Sequence, residues 1–301
     1  MKKDFKSYMY VFIAGSLWGT IGFFVKIMQN YGSSSAYTSF LRMAIGFLLL
    51  VVITLVKDGP RAFKISKNTL ISCVLLGFIC QAVYNVAYSN AVNTIGVSLS
   101  AVLLYTSPVF TSITSFLLFK EKIGKQKYLA LFINIIGCTL TVTGGRFDEL
   151  SFGVIGLLFG LAAGFCYSLA AIFGRLATDE GSPFAVATYN FLFATLFLAV
   201  FCPWRTVEHP LHLPIILVGV GFALIPTALG YIFYFKGLQN ITESSKVPVV
   251  ASIETVVATI IGIVVFHEKL GTGNIIGILC VLGSIAVMNL HFEDSIEKKS
   301  R

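Results

Sequence analysis

The sequence is short of charged residues. Only 12% of its 301 residues are Asp, Glu, Lys or Arg, whereas 56% are hydrophobic and the mean hydropathy is +0.85. A typical soluble domain carries about 25% charged residues. A soluble chain of this size also lacks the interior to hide many long uncharged runs such as residues 70–91. The composition therefore excludes an ordinary soluble protein and indicates a chain whose main solvent is lipid.

Several chemical signatures are missing as well. The six cysteines lie in apolar runs without a C-x-x-C pair or a histidine at ligand spacing, so disulfide and metal sites are not indicated. The sequence has no P-loop and no G-x-S-x-G elbow, and His267 and Glu268 lack the second histidine of H-E-x-x-H. These absences argue against an ATP-driven pump, an intramembrane enzyme and a bound cofactor. The net charge of +8 does not indicate nucleic acid, because the basic residues lie in short connections.

Ten apolar windows are long enough to cross a bilayer. About twenty helical residues cover the roughly 30 Å of hydrocarbon. Backbone amides in lipid must be satisfied within the segment, which favours helices. We therefore predict an all-α integral membrane protein with ten transmembrane helices. The windows lie near residues 8–29, 35–56, 68–91, 95–119, 127–144, 152–174, 184–202, 213–236, 243–266 and 272–291.

Basic residues are distributed unevenly between the two sides of the predicted membrane. With alternate connections assigned to opposite sides, seventeen Lys and Arg residues fall on one side and five on the other. The positive-inside rule makes the richer side cytoplasmic. Ten is an even number of spans, so both termini are predicted to be cytoplasmic in the cell membrane. No small-residue cleavage site follows the first apolar segment, which is expected to stay as a helix. The five external residues are Lys26, Arg42, Arg146, Arg205 and Lys269.

The two halves of the chain, 1–146 and 147–301, repeat each other at a spacing of 147 to 149 residues. Each half contains five predicted spans, an odd number, so the second half inserts upside down relative to the first. Inverted five-helix repeats are typical of transporters, where they give two packings that open to opposite sides. The matching pairs are Trp18 and Tyr167, Lys26 and Arg175, Tyr84 and Tyr231, Lys120 and His267, Glu121 and Glu268, and Lys122 and Lys269.

Polar side chains of several spans share one helical face. In the third span Gln81, Tyr84, Asn85 and Tyr88 follow helical spacing. Seams of small polar residues in the fourth and ninth spans either line a cavity or serve close helix packing, and the pattern leaves both interpretations open. Aromatic walls suit apolar or flat groups and cations. The predicted substrate-binding residues are Trp18, Tyr84, Asn85, Tyr88, Tyr105, Tyr167, Tyr231, Tyr234 and Glu254.

Charged residues within the spans are rare. Glu254 is the one acidic residue near the middle of a predicted span, where an ionised side chain is costly. Two interpretations stay open: Glu254 binds a cationic group and exchanges it for a proton, or it is a protonated carboxyl that bonds a neighbouring helix. Arg42 either extends its charge outward to the external surface or pairs inside the bundle, and the first interpretation is favoured. Lys26 and Arg175 are interpreted as interface anchors.

These residues resemble the drug/metabolite transporter superfamily, in particular its EamA-type members with two five-helix repeats, over nearly the whole chain. The resemblance rests on residues 17–19 with Lys26 and Arg42, on Pro108 with the turn 119–122, and on Glu254 with the turn 266–269. Family ninth spans often read Glu-Pro, where this chain has Glu254 and Thr255. The resemblance implies a secondary transporter with a central cavity, often an exporter of amino acids or related metabolites.

The resulting hypothesis is a secondary transporter of small metabolites that works by alternating access. Its expected partners are a small-molecule substrate and the lipid bilayer, and Glu254 is the candidate for proton coupling. A multiply phosphorylated substrate is disfavoured, because it would require several Lys or Arg residues in the pathway. The alternative is a facilitative channel, or an uptake carrier for a metabolite or vitamin. Counterflow distinguishes a carrier from a channel.

Overall fold

The computed structural model describes residues 2–147, 153–202 and 213–289, and these ranges contain helices and turns but no strand. Arg205, Lys298, Lys299 and Arg301, which enter the charge count, lie outside the described residues. The helices are α1 (Lys2–Trp18), α2 (Ile21–Asn30), α3 (Ser35–Lys57), α4 (Lys67–Leu75), α5 (Tyr84–Leu104), α6 (Ser107–Phe119), α7 (Lys125–Thr143), α8 (Val154–Glu180), α9 (Pro183–Phe201), α10 (Leu213–Phe222), α11 (Gly230–Leu238), α12 (Val247–Ala251), α13 (Ile253–Phe266) and α14 (Thr272–Asn289).

The chain is a multi-pass membrane protein. In the described residues, seven helical stretches are long and apolar enough to cross a bilayer, and two shorter apolar helices accompany them. One of the seven, Lys67–Leu104, has 38 residues and would extend about 57 Å if straight. It is not straight, because Gly96 adopts φ 80° and ψ 166°, a conformation that favours glycine. The seven stretches are Phe5–Asn30, Ser35–Lys57, Lys67–Leu104, Val154–Glu180, Pro183–Val200, Leu213–Leu238 and Ser244–Phe266, and the shorter helices are Ser107–Phe119 and Thr272–Met288.

Irregular backbone occurs at corresponding places in the two halves. A π-helical turn, Leu76–Val83, joins α4 to α5, and a second, Ala223–Leu229, joins α10 to α11. Their first residues lie 147 positions apart, as do Lys120 and His267, which end α6 and α13 with φ of 57° and 54°. π-turns are rare and are frequent at functional sites. Both of these turns lie next to tyrosines of the predicted site.

The prolines of the fourth and ninth predicted spans begin helices and do not kink them. Pro108 lies in the first turn of α6, after a break at residues 105–106, and Pro248 lies in the first turn of α12. A proline in that position lacks only an N–H that would have no partner within the helix. Pro226 is different, since it lies inside the second π-turn.

The small polar seams serve mainly for packing. Ser112, Ser115, Ser252 and Thr255 are all buried between helices. Tyr105, in the same seam, is only half-buried. The glycines of α1 and α8 also act as packing positions, as their spacing predicts: a Cβ atom on any of Gly15, Gly19, Gly156, Gly160 or Gly164 would collide with a neighbouring helix.

A close helix contact joins α7 to α14. A Cβ atom on Gly277 would lie 2.3 Å from the backbone nitrogen of Thr141, so the two helices meet backbone to backbone. Nearby, the buried Asn134 donates hydrogen bonds to Ser252 Oγ at 2.7 Å and to Ser284 Oγ at 3.0 Å. Lipid supplies no hydrophobic driving force between helices, so close packing and such hydrogen bonds stabilise the bundle.

We expect Gly277→Leu to destabilise the protein by about 2–3 kcal/mol, because the side chain would force α7 and α14 apart. The matched control is Gly283→Leu, on the same helix, where a Cβ atom meets nothing within 4 Å. Thermal unfolding of the purified variants in mild detergent measures the difference. Equal unfolding temperatures for the two variants would contradict this packing.

Candidate functional site

Aromatic side chains from both halves gather in the interior. The ring of Trp18 on α1 lies 5.0 Å from that of Tyr231 and 4.9 Å from that of Tyr234, both on α11. Tyr84 on α5 lies 5.6 Å from Tyr167 on α8 and 5.9 Å from Tyr88. Rings at 4.5–7 Å attract one another beyond their apolar burial. The structure therefore brings together the predicted aromatic residues of α1, α5, α8 and α11.

Gln81 connects the two halves. Its Nε2 donates a 2.8 Å hydrogen bond to the hydroxyl oxygen of Tyr231, 150 residues away, and its side chain is almost fully buried. Gln81 belongs to the polar stripe of the third span, but it is absent from the predicted site residues. Its position in the π-turn directs the amide across to α11. It thus fixes the orientation of Tyr231.

Glu254 lies in the first turn of α13, beside this aromatic group. Its carboxyl lies near the hydroxyl of Tyr105 and within electrostatic range of Tyr84, Tyr88 and Tyr167. Glu254 itself is half-buried, and so are Tyr84, Tyr88, Tyr105 and Tyr167. A polar group that is enclosed by protein and still accessible lines an internal space. Tyr105 and Glu254, both predicted for the site, thus lie in the same group.

The group depends on a close approach of α1. A Cβ atom on Gly19 would lie 2.8 Å from the backbone oxygen of Glu254 and 2.6 Å from the Cβ of Val257. Glycine at this position lets the end of α1 contact the backbone of α13. It thereby places Trp18 near Glu254.

The side chain of Asn85 does not point into the aromatic group around Glu254. Its Oδ1 accepts a hydrogen bond from Ser39 at 3.2 Å, and its Nδ2 donates to the backbone oxygen of Gln81 at 2.7 Å. It lines a cavity of about 220 Å³ between α3, α5 and α9. Two of its lining residues lie at helix ends, Ala36 at the start of α3 and Cys202 at the end of α9. The lining residues are Ala36, Ser39, Asn85, Val86, Ser89, Asn90, Leu198 and Cys202.

Arg42 corrects the sequence interpretation. Its side chain does not extend to the surface, because the residue is only 7% exposed and its guanidinium carbon lies 5.1 Å from the centre of the Phe222 ring. It lies within electrostatic range of Tyr231 and Tyr84. Within the described residues, no carboxylate is close enough to form an ion pair with it. Sequence periodicity missed this residue because only the packing of α10 against α3 decides its direction.

A buried polar network closes one end of the bundle, which we call the basic end because it holds residues 57–67, 120–127 and 236–246. Glu121 Oε1 lies 2.7 Å from Arg175 Nη1 and accepts a hydrogen bond from the backbone nitrogen of Ser244 at 2.8 Å. Its second oxygen accepts from the backbone nitrogen of Ser245 at 3.1 Å. Arg175 also stacks on Phe119 at 4.3 Å. Arg175 is therefore part of an inter-helix contact, and the interpretation as an interface anchor is wrong.

A second ion pair reinforces the basic end. Lys127 Nζ lies 2.7 Å from Glu243 Oε2, and Lys246 lies 3.5 Å from the same oxygen. Burial alone would raise the pKa of Glu243, but the hydrogen bond from Lys127 and the charge of Lys246 together hold the pKa below its ordinary value. The carboxylate stays ionised and ties α7 to the start of α12.

The opposite end carries the corresponding residues in an open arrangement. Lys26 Nζ lies 3.6 Å from Glu268 Oε1 and 3.9 Å from the centre of the Phe266 ring. The side chain of Glu268 is 62% exposed, whereas that of its counterpart Glu121 is 6% exposed. Where Glu121 accepts two backbone N–H groups, the described structure gives Glu268 no such hydrogen bond. Phe119, Glu121 and Arg175 thus form a closed contact at the basic end. Their counterparts Phe266, Glu268 and Lys26 form an open contact at the opposite end.

Comparison with known proteins identifies the family. Residues 5–143 and 154–290 each match the model of the EamA-like transporter family. The chain belongs to the EamA-like transporter family. It is accordingly a membrane transporter of the drug/metabolite type and not an enzyme, as the resemblance in sequence indicates.

Relatives of this EamA-like transporter include two proteins named as uncharacterized transporters. One, from Archaeoglobus fulgidus, is 27% identical and covers 92% of this chain and 94% of its own length. The other, from Clostridium kluyveri, is 26% identical, and the match covers 93% of this chain and 92% of the relative's own length. A probable sugar phosphate/phosphate translocator of Arabidopsis thaliana is 23% identical over 83% of this chain and 84% of its own. A solved crystal structure shares the fold, with a TM-score of 0.80 and 16% identity over 94% of this chain and 96% of the other.

The two ends should differ in their contribution to stability. We expect Glu121→Gln to lower the free energy of unfolding by about 3 kcal/mol, since it leaves Arg175 without its buried partner. Glu268→Gln, the matched change at the open end, should cost less than about 1 kcal/mol because that pair is exposed. Denaturation in mild detergent measures both. Equal losses would contradict the closed and open assignment.

Proposed function

We propose that this transporter exports small amphipathic solutes, amino acids among them, across the cytoplasmic membrane by alternating access. The observation that carries the proposal is the difference between its ends: Glu121 is sealed in a buried network, while the corresponding Glu268 is exposed. A bundle with two such contacts, of which one is closed at a time, opens to one side of the membrane and then to the other.

We further propose that ten helices cross the membrane as two inverted repeats, 1–146 and 147–301. The break at Gly96 divides the longest stretch into two crossings, and α7 has 19 residues, enough for a short crossing. Supporting the repeat, π-turns and left-handed helix ends recur 147 residues apart. The basic end, with residues 57–67 and 120–127, is assigned to the cytoplasm, along with both termini. In this assignment the structure faces outward.

The proposed cycle exchanges one closed contact for the other. When Glu121 releases the backbone of Ser244 and Ser245, the cytoplasmic end opens. Glu268 then accepts the backbone N–H groups near residues 97–98, which correspond to Ser244 and Ser245 in the other repeat. Because Lys26 already lies over Phe266, it is placed to pair with Glu268 in the closed external contact, as Arg175 pairs with Glu121.

The chemistry of the interior favours a solute with an apolar part and few charges. The aromatic side chains supply a wall for an apolar or flat group, and Glu254 supplies a site for a cationic group or a proton. One relative is named as a probable sugar phosphate/phosphate translocator. A phosphate dianion would call for several cations in the pathway, and in the described residues Arg42 is the one buried Lys or Arg. We therefore regard sugar phosphates as the second candidate class of substrate, after amphipathic solutes with few charges.

Reconstituted transporter is expected to catalyse counterflow of a labelled amino acid or amine from a pooled panel. A carrier exchanges internal for external solute, whereas a channel gives no counterflow. In vesicles with an acidic lumen, proton efflux through Glu254 should drive the solute inward against its own gradient. Glu254→Gln should keep counterflow but lose this accumulation, because the amide cannot exchange a proton.

The matched control is Asp179→Asn, an exposed carboxyl at the basic end, which should leave both activities unchanged. Absence of counterflow by the wild type for the whole panel would contradict the proposed exporter. If accumulation persists in Glu254→Gln, Glu254 is not the residue that couples transport to protons, and its role is structural.

Removing each closed contact should shift the balance between the two states in opposite directions. Ser39→Cys, in a background without the native cysteines, reports on the external cavity through its rate of modification by a membrane-impermeant thiol reagent. Adding Glu121→Gln should slow this modification by about threefold or more, because the outward state loses its stabilising contact. Adding Glu268→Gln should not slow it. Ala36→Cys, exposed at the rim, serves as the control for reagent access, and slowing by both changes would contradict the exchange of contacts.

A further inference from the structure

A polar cavity lies between the start of α1 and the end of α11, at the basic end, and we call it the α1–α11 cavity. Its volume of about 340 Å³ is within the range of pockets that hold small ligands. The described residues that line it carry two ammonium groups, two amides and two hydroxyls, and no carboxylate. The cavity is therefore positively charged and suits an anion. The lining residues are Lys6, Ser7, Tyr10, Lys236, Gln239 and Asn240.

Both lysines of the cavity lie near aromatic rings and are not paired with acids. Lys6 Nζ is 5.7 Å from the centre of the Tyr10 ring, and Lys236 Nζ is 4.6 Å from the centre of the Phe184 ring. Within the described ranges, neither ammonium group forms a salt bridge. A lysine without a counter-ion keeps its three N–H donors for a ligand. Both positive charges are therefore available to an anion in the cavity.

A backbone contact between α1 and α11 holds the two sides of the cavity together. A Cβ atom on Gly237 would lie 2.9 Å from the backbone oxygen of Ser7 and 2.7 Å from the Cγ2 of Val11. Glycine at this position lets the two helices meet beside Lys6 and Lys236. The cavity is thus formed before a ligand arrives, and a preformed site binds at a lower cost in ordering.

The position of the cavity along the two spans is that of the lipid headgroups. The apolar stretch that contains α1 begins at Phe5, one residue before Lys6, and the stretch that contains α11 ends at Leu238, two residues after Lys236. Phe5 is 69% exposed and Met9, one turn further along α1, is 42% exposed. Apolar side chains that face lipid therefore lie beside Lys6. A ligand in the cavity meets water on one side and hydrocarbon on the other.

An apolar face continues from the cavity into the membrane. On α1, Tyr10 is followed at helical spacing by Ile13 and Leu17, both half-buried. On α11, Phe233 precedes Lys236 by one turn, and its ring lies 5.9 Å from the ring of Tyr10. A positive pocket above an apolar wall matches a phospholipid, in which a phosphate is joined to acyl chains. A free phosphate would use only the pocket.

We propose that the α1–α11 cavity binds the headgroup of an anionic phospholipid, with the phosphate in contact with Lys6 and Lys236 and an acyl chain along Tyr10 and Phe233. Phosphate oxygens accept charge-assisted hydrogen bonds from ammonium groups. Basic pockets between transmembrane helices on the cytoplasmic side bind anionic headgroups, and the proposed orientation of the chain places the cavity on that side. The site does not depend on which solute the transporter carries.

Native mass spectrometry of the full chain in mild detergent measures the binding. The protein is offered equal amounts of phosphatidylglycerol and phosphatidylcholine with identical acyl chains, and the ratio of the two bound lipids gives the preference. We expect the wild type to prefer phosphatidylglycerol at least about tenfold, because the ammonium group of choline offsets the charge of its phosphate and is repelled by the lysines.

The double variant Lys6→Gln with Lys236→Gln should remove this preference, since both ammonium groups are lost while the chain lengths stay similar. The matched control is Lys57→Gln with Lys125→Gln, which removes two exposed lysines of the same end that do not line the cavity. The control should keep the preference within about threefold of the wild type, because exposed charges outside the cavity are screened.

Three results would overturn the proposal. A wild type that binds the two lipids equally refutes an anionic lipid site, and this comparison needs no variant. An equal loss of preference in both double variants would assign the effect to the charge of the whole basic end. Displacement of the lipid by excess inorganic phosphate, which has no acyl chains, would assign the cavity to a soluble anion. None of these measurements involves transport, so their failure would leave the proposed transport function standing.

Discussion

In the interior of a membrane, a polar group is either bonded to another protein group or open to an aqueous cavity, because lipid offers it neither donor nor acceptor. This constraint organises the whole bundle. Asn134 and Gln81 meet it by bonding side chains on other helices, which fixes those helices against each other. The buried indole nitrogen of Trp18, the side-chain amide of Asn190 and the hydroxyl of Ser115 do not meet it within the described protein. Of these groups, the indole of Trp18 belongs to the aromatic cluster, where it lies about 5 Å from the rings of Tyr231 and Tyr234.

Backbone geometry determines which residues reach that cluster. The two π-turns each insert an extra residue into a helical turn and so rotate the helix that follows. Tyr84 follows the first turn and Tyr231 follows the second. Gly19 has no side chain to hold α1 away from the backbone of Glu254. The site therefore depends on irregular turns and on one close helix contact, and both lie outside the set of residues that would touch a solute.

Much of this could be predicted from the sequence. The helical content and the aromatic residues of the site follow from apolar length and from the spacing of polar residues along each helix, which are local properties. The exceptions have non-local causes. Whether Arg42 points outward or inward depends on Phe222, 180 residues away, and the ion pair of Arg175 depends on Glu121 in the other half. The spans that contain Pro108 and Pro248 read as continuous apolar runs, so the apolar pattern does not reveal the break at residues 105–106 that precedes Pro108.

The two ends also differ in chemistry, which bears on how the proposed cycle is balanced. The closed contact uses Arg175, whose Nη1 donates hydrogen bonds both to Glu121 Oε1 and to the hydroxyl of Ser244, whereas the open one has Lys26, a point charge on a flexible chain. An arginine is less strongly hydrated than a lysine and is therefore easier to bury. If both ends closed in the same way, the arginine contact would be the stronger, and the state that faces outward would be favoured in the absence of solute. Binding of a solute would then have to supply the free energy that opens the basic end.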